Sequence, residues 1–392
     1  MNSMKREKML ILSGSLGEGH RQAAKAIVEA SALYRPGIEV KVVDFLEWIH
    51  PRMHVIEQYC FLQWVKHFPS SYGYMYQKTR TDNTFTSILK CFSITSLQRL
   101  LRLLYKEQPT LLVSTFPPAS AAISLLKEKG MTDLPAATVM TDHTDHSYWI
   151  HPFTDLYLVG SEGVRASLQR KGVAHHKIAV TGIPVRPTYS QSISISKGRL
   201  REKLALVPDA FIVLVMGGGY GMIDKSFIKQ LQSDTYPDNL QFVIVCGRNG
   251  KLLNYLREEL RDRDNIMLTR YLERIHEWMA AADVLITKPG GLTTSEALAL
   301  QLPMLLLEPR LGQEKDNAGY LLQTGVANLC QIDNLQDQLQ RLVQQPFILG
   351  EMRGKAELCK QQDSARQVVK QILSMQSDKP EEKWVHSMQQ YA

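Results

Sequence analysis

The sequence predicts an α/β protein of two doubly wound, Rossmann-like domains that face a cleft. Three observations carry that prediction. Short apolar runs recur along most of the chain and alternate with segments of helical periodicity, the pattern of buried parallel strands and crossover helices. The alternation starts twice, near Lys8 and near Phe211, and each first strand runs into a glycine-rich turn. A proline-bracketed segment, Thr181-Gly182-Ile183-Pro184-Val185-Arg186-Pro187, separates the two rounds.

The 392 residues suffice for two domains, taken as 1–187 and 188–375, with a polar tail at 376–392. Hydrophobic residues make up 44% and charged residues 22%, the balance of a globular protein rather than a disordered one. No run of 18 apolar residues occurs, so no membrane-spanning helix is expected. The start, MNSMKREKMLILSG, is too short in apolar residues for a secretory segment, and Met9 to Leu12 reads better as the first strand. Cys60, Cys91, Cys246, Cys330 and Cys359 are widely spaced with no C-x-x-C, which argues against a disulfide framework or zinc site and for a reducing cytoplasm. The net charge of +7 is concentrated. Eight basic residues (Arg52, Lys66, Lys78, Arg80, Lys90, Arg99, Arg102, Lys106) face two acidic ones (Glu57, Asp82) between 52 and 106, so a localised anionic partner is expected.

In the first half, Lys8 to Ser13 reads as a strand, Gly14 to His20 as a loop and Arg21 to Tyr34 as a helix. Gly14, Gly17 and Gly19 let a ligand approach the backbone, but their G-x-x-G-x-G order differs from the dinucleotide fingerprint. Asp44, at the end of the next strand, could imitate a ribose-binding acid, which keeps an oxidoreductase in view. His20 opens the helix. A helix N-terminus disfavours imidazolium, so a neutral base is available there, although a histidine merely packed at a turn would look the same.

Residues 52 to 106 combine those cations with Tyr59, Phe61, Trp64, Phe68, Tyr72, Tyr74, Tyr76, Phe85, Phe92 and Tyr105. Ile94 to Lys106 fits an amphipathic helix, with Ile94, Leu97, Leu101 and Leu104 opposite Arg99, Arg102 and Lys106. A membrane interface, an ordinary half-buried helix and a nucleic-acid surface all fit this composition. Leu111 to Ser114 and Ala137 to Thr141 are further strands. The second runs into Asp142-His143-Thr144-Asp145-His146, with His151 nearby. This resembles part of a metallo-hydrolase motif, but Thr141 stands where its first histidine belongs. The other reading is a polar loop at a strand's carboxyl end, where open α/β sheets bind ligands. Strands at Leu156 to Gly160 and Ile178 to Gly182 complete the domain.

In the second half, Phe211 to Met216 leads into Gly217-Gly218-Gly219-Tyr220-Gly221, a phosphate-cradle candidate without the Gly-Lys-Ser/Thr of a Walker loop. Gln241 to Cys246 and Ile266 to Thr269 follow, ending near Arg248-Asn249 and Tyr271-Leu272. Val284 to Thr287 ends at Lys288-Pro289-Gly290-Gly291, a tight turn into a helix for which Thr293 or Thr294 would be the cap. The N–H groups at that helix start would attract an anion, and Glu296 could accept hydrogen bonds from sugar hydroxyls. Met304 to Leu307 and Val326 to Gln331 are the last strands. Gln313, Glu314, Asp316 and Asn317 are dense in hydrogen-bonding groups. An ordinary βαβ unit with polar loops would also account for this stretch.

The run PGGLTTSEALALQLPMLLLEP followed by GQEKDNA resembles the nucleotide-sugar signature of one glycosyltransferase family. That family holds the diacylglycerol galactosyl- and glucosyltransferases and is related to the peptidoglycan transferase that completes lipid II. G-E-G-H-x-x-A-A-x-A-I around His20 is similar to its N-terminal signature, Thr141-Asp142 with W-x-x-P-x-x-D-x-Y from Trp149 to its acceptor region, and T-G-I-P-x-R-P to its hinge. The resemblance implies a GT-B fold, with residues 1–187 as an acceptor-binding, membrane-facing domain and 188–375 as the UDP-sugar domain. It implies His20 as general base, with Asp142 near the acceptor hydroxyl or orienting the base. Glu296 would bind ribose, Gln313 and Glu314 the donor sugar, and Gly217, Gly218 and Gly219 the diphosphate, with Arg248, Gly290, Gly291, Thr294 and Asn317 completing the donor site. Gly17, Gly19, Trp64, Arg99, Arg102, Lys106 and Trp149 would meet acceptor or membrane.

The implied reaction is inverting transfer of glucose or galactose from a UDP-sugar to diacylglycerol or a glycosyldiacylglycerol. The UDP-sugar is a substrate, and no cofactor, metal or nucleic-acid partner is expected. An anionic membrane surface is, with the protein cytoplasmic and attached to the inner face of the plasma membrane. His143, His146 and His151 receive no catalytic role. Rival readings are a UDP-sugar 2-epimerase, an N-acetylglucosaminyltransferase for another lipid acceptor, and a non-enzymatic nucleotide-sugar-binding membrane adaptor.

Overall fold

The structure is a computed structural model that describes residues 7–81, 94–218, 225–233, 236–309 and 312–375. Gly219 to Gly221, Phe85, Phe92, Lys90, Asp82 and the tail 376–392 therefore lie outside the described residues. Two units emerge. One holds residues up to Pro187, Gln313 and the chain from Asp363; the other spans Thr188–Arg310 and Glu314–Gln362.

Unit 1 is built on six parallel strands: β1 (Lys8–Ser13), β2 (Glu39–Asp44), β3 (Leu111–Ser114), β4 (Ala136–Val139), β5 (Leu156–Val159) and β6 (Ile178–Val180), in the order β2-β1-β3-β4-β5-β6. The reason its strands read as unbroken apolar runs is visible in β1. Met9 and Ile11 enter one helix layer with Ala24, Ile27 and Ala30, while Leu10 and Leu12 enter the other with Phe45, Ile49, Leu100 and Leu104.

Two expectations change here. The helix Ile94–Glu107 turns Leu97, Leu100, Leu103 and Leu104 into the core, leaving Leu101 half-buried and Ile94 75% exposed. Its apolar stripe packs on the sheet layer rather than meeting lipid. The helix Ser364–Ser374, expected in the second domain, belongs to unit 1. Ala365, Val368, Val369 and Ile372 complete the layer begun by the helix Glu18–Tyr34, and the Val185 N–H donates to Ser364 Oγ (3.0 Å).

Unit 2 repeats the plan with β7 (Phe211–Met216), β8 (Leu240–Val245), β9 (Ile266–Thr269), β10 (Val284–Thr287), β11 (Met304–Leu306) and β12 (Ala327–Leu329), ordered β12-β11-β10-β7-β8-β9 and all parallel. In each sheet the winding reverses beside the first strand, between β1 and β3 and between β7 and β10. Open α/β sheets bind ligands at the carboxyl ends of the strands flanking such a reversal. Both glycine turns and the Lys288 turn leave the sheets there.

Candidate active site

In unit 1 the reversal is assembled around His20. A Cβ on Gly14 would lie 2.6 Å from the Phe116 ring, so only glycine lets that ring lie across the end of β1. Phe116 then meets the His20 imidazole edge-on, with centroids 5.2 Å apart, and Trp149 stands 6.0 Å away. Thr115 Oγ1 donates to the His20 carbonyl (3.1 Å) and lies 3.0 Å from Ser13 Oγ, tying the ends of β1 and β3 together. His20 Nδ1 is 3.1 Å from Thr141 Oγ1, which donates to Asp142 Oδ2 (3.4 Å).

Burial lowers the His20 pKa, while the Asp142 carboxylate and a backbone hydrogen bond at Thr115 pull it partly back. The result is a neutral imidazole at pH 7. With Nδ1 directed at the Thr141–Asp142 pair, Nε2 is the nitrogen suited to take a proton. Gly17 precedes the helix in extended conformation with no side-chain cap, and a Cβ there would meet nothing within 4 Å. Gly19 lies in the first helical turn.

The residues expected at the acceptor or membrane divide. Trp149 is buried (4% exposed) as a wall beside His20, so it faces no bilayer. Trp64 donates to Ser71 Oγ (2.7 Å) within an aromatic group with Phe61 and Tyr72 on the helices His54–His67 and Pro69–Lys78. Arg99 bonds the Ile49 carbonyl, and Lys106 lies 5.7 Å from the Trp48 ring centroid. Arg102 is exposed. Asp44 caps the helix Phe45–Ile49 through Leu46 N and Glu47 N, which explains it without a ribose.

The histidine-rich loop is a mount. His146 Nε2 lies 2.8 Å from the Tyr76 carbonyl, its Nδ1 accepts from Tyr148 N (3.1 Å), and its ring packs on both tyrosines. Tyr76 Oη bonds Thr144 Oγ1 (2.9 Å), Ser147 Oγ donates to the Thr79 carbonyl (2.7 Å), and Arg80 pairs with Asp145 (2.7 Å). His151 Nε2 meets the Tyr148 carbonyl (2.9 Å). His143 is packed so tightly on Gly160 that a Cβ there would lie 2.8 Å from its ring, and burial pushes its pKa down to about 3. These contacts anchor the end of the helix Pro69–Lys78 beside the loop that carries Asp142.

In unit 2, Thr287 Oγ1 donates to the Met216 carbonyl (3.0 Å), holding the ends of β10 and β7 side by side. Gly217 and Gly218 follow β7, and Gly218 adopts φ +74°, a backbone state that favours glycine. Gly219, expected with them, lies outside the described residues. The helix after β10 starts at Gly291, earlier than expected, with Gly290 preceding it and no side-chain cap. Thr294 is therefore inside the helix, and its hydroxyl donates back to the Gly290 carbonyl (2.8 Å) instead of capping. Glu296 is buried on that helix at 7% exposure.

Gln313, Glu314 and Asn317 fall on the first turns of the helix Gly312–Thr324. Gln313 groups with unit 1 and Glu314 with unit 2. Asn317 Nδ2 donates to the Pro289 carbonyl (3.1 Å), so its amide shapes the turn. Glu314 Oε1 is 3.1 Å from Lys288 Nζ. Arg248 stacks on Tyr271, 4.8 Å from the ring centroid, and Asn249 caps the helix Gly250–Glu259 through Leu252 N.

Sequence reasoning missed Thr141, Thr115 and Phe116 as supports of His20, and it used Lys288 only as a strand breaker. A charged residue placed directly after a buried strand at the sheet reversal was the available signal for Lys288.

Comparison with known proteins fits this geometry. Residues 20–185 match the family model for monogalactosyldiacylglycerol (MGDG) synthase, and residues 212–372 that for the glycosyltransferase family 28 C-terminal domain. The chain is 32% identical over 327 residues to the processive diacylglycerol beta-glucosyltransferase of Staphylococcus carnosus (strain TM300), covering 82% of this chain and 81% of that one. It is 31% identical over 383 residues to the protein of the same name from Staphylococcus epidermidis (strain ATCC 35984), covering 96% and 95%. Among solved structures, Acinetobacter baumannii MurG shares the fold with a TM-score of 0.61 at 15% identity, over 95% of this chain and 100% of that one. UDP-GlcNAc 2-epimerase from Neisseria meningitidis does so at 0.60 and 16%, over 94% and 100%. The fold is GT-B, two Rossmann-like domains of parallel strands, and the chain belongs to the monogalactosyldiacylglycerol synthase and processive diacylglycerol glucosyltransferase family.

Proposed function

We propose that the protein is an inverting glycosyltransferase that moves a hexose from a UDP-sugar to the hydroxyl of diacylglycerol or a glycosyldiacylglycerol. The observation that carries this reading is the neutral, oriented His20 at a sheet reversal, in a chain of this family. The two Staphylococcus relatives described above carry the name diacylglycerol beta-glucosyltransferase, which favours glucose over galactose and diacylglycerol as acceptor.

In the transfer, His20 Nε2 removes the acceptor hydroxyl's proton as the oxygen attacks the anomeric carbon from the side opposite UDP. The bond from that carbon to the β-phosphate oxygen breaks, and an α-linked donor yields a β-glycoside. Asp142, acting through Thr141, keeps Nδ1 occupied and stabilises the imidazolium that forms. Glu296 binds ribose, Gln313 and Glu314 the sugar hydroxyls, Gly217 to Gly219 the diphosphate, and Arg248 on Tyr271 borders the base. Residues up to 187 take the acceptor and those from 188 to 362 the donor.

Access to a lipid acceptor comes from peripheral contact with an anionic bilayer at the inner face of the plasma membrane. Among the described residues no helix is long and apolar enough to cross a membrane. The helices His54–His67 and Pro69–Lys78 and the residues before them instead expose Met53, Val55, Ile56, Tyr59, Phe68 and Tyr74, with Arg52 and Lys78 alongside. Apolar side chains among cations suit insertion at headgroup depth.

The test is purified protein with UDP-glucose, UDP-galactose or UDP-N-acetylglucosamine and anionic vesicles containing diacylglycerol. A β-linked glycosyldiacylglycerol from UDP-glucose or UDP-galactose is expected. No glycolipid from any of the three donors overturns the reading, and an epimerised nucleotide sugar formed without acceptor replaces it with the epimerase.

A further inference from the structure

We propose that Lys288 is the cation that takes up the charge of the departing nucleoside diphosphate, and that Glu314 holds it in readiness until the donor binds. This deepens the transferase reading above and rests on it. Lys288 is the first residue after β10, and Gly217 the first after β7. The Thr287–Met216 hydrogen bond (3.0 Å) fixes those two strand ends next to each other. A Cβ on Gly218 would lie 3.9 Å from Lys288 Cε, so the lysine stem passes beside a residue that has no side chain of its own. Nζ lies 3.1 Å from Glu314 Oε1, with the two side chains 22% and 8% exposed. An ammonium and Gly218 thus meet at the sheet reversal of the unit that carries the donor signature.

An ion pair that only pinned the turn to the helix Gly312–Thr324 would be redundant. The Asn317 Nδ2 bond to the Pro289 carbonyl (3.1 Å) already makes that connection with a neutral group. Holding an ammonium and a carboxylate largely out of water costs desolvation that a structural pin does not require. The pair makes sense if its members part in use.

When the anomeric carbon–oxygen bond breaks, its electron pair stays on the β-phosphate oxygen, and UDP gains one negative charge. The acceptor oxygen takes the vacated bond and His20 takes its proton, so atoms and charge balance. Lys288 then donates to the diphosphate oxygens in place of Glu314. Glu314, released, accepts from the hexose hydroxyls, the role the resemblance assigns to it. One exchange of partners couples sugar recognition to stabilisation of the leaving group.

The experiment is titration calorimetry with UDP and with uridine on the full chain and on Lys288→Met, Lys288→Arg and Glu314→Gln, with thermal melting of each variant. Lys288→Met is expected to weaken UDP by about 10- to 100-fold, as for loss of a charged hydrogen bond, and to leave uridine unchanged. Lys288→Arg keeps the charge and most of the UDP affinity. Glu314→Gln leaves the lysine without its carboxylate, so UDP binds at least as tightly, while kcat/KM for the UDP-sugar falls. Equal losses of UDP and uridine in Lys288→Met, or unchanged UDP affinity, overturn the proposal. If Lys288→Met does not fold, weaker UDP binding by Glu314→Gln does the same. Failure of the unaltered chain to bind UDP would instead overturn the donor reading itself.

Discussion

The two sheet reversals occupy the same topological position and hold opposite chemistry. Beside β1 and β3 the group is an imidazole kept neutral by burial, walled by Phe116 and Trp149 and aimed by a threonine and a carboxylate. Beside β7 and β10 it is a lysine paired with a glutamate next to Gly218. One environment favours accepting a proton, the other meeting an anion. Topology decides where a ligand can sit, and the few side chains beyond the strand ends decide what happens to it.

Removing the proposed base is the sharpest way to separate the two. His20→Ala should lower kcat by ~10²–10⁴-fold, the usual contribution of a general base. UDP affinity, measured by calorimetry, should stay unchanged, because the glycines, Lys288 and Glu296 proposed to hold the donor lie at the other reversal. An equal loss of UDP affinity would break the comparison, and near-full turnover would remove His20 as the base. Lys288→Met, with weakened UDP and an intact base, is the mirror case.

Asp142→Asn tests a finer point, with a loss on the order of tenfold in kcat near neutrality, the worth of one modest charge interaction. The Asp142 charge raises a His20 pKa that burial has lowered. Its removal should therefore move the acidic limb of the kcat/KM profile further down, not up. A limb that stays in place would show that Asp142 acts on the acceptor alone.

How much of this was legible in sequence follows from distance along the chain. The strands were readable because β1 and its neighbours are buried on both faces and so appear as plain apolar runs. The helix start at Gly291 was misplaced because Gly290 precedes it without using a side chain, leaving Thr294 as a false cap. In Ile94–Glu107 periodicity identified an apolar stripe, but it could not reveal that the sheet layer covers it. Ser364–Ser374 fell on the wrong side of the boundary because its partner, Glu18–Tyr34, lies at the other end of the chain. The histidine loop was opaque for the same reason: His146 meets the carbonyl of Tyr76, 70 residues earlier. Glu314 lies in the quoted signature and Lys288 directly before it, yet only the fold shows them to be paired.

The smallest effect separates a histidine buried for chemistry from one buried for packing. His143 sits against Gly160, and burial carries its pKa from 6.5 to about 3. Between those two values the unfolded chain binds a proton that the folded chain refuses, so stability falls as pH falls. The slope contributed is about 1.4 kcal/mol per pH unit within the window, and nothing above it. His143→Phe keeps a ring in place and removes the titration. Other contacts of the imidazole would shift stability by an offset that does not vary with pH, so the slope is the quantity to read. Urea unfolding between about pH 6 and pH 4 should show a shallower acid loss in this variant than in the unaltered chain. Its turnover near neutrality should change far less than that of His20→Ala, because the ring packs on Gly160 and is given no part in the proton transfer. Parallel acid slopes in the two proteins would mean that His143 is already protonated in the folded state.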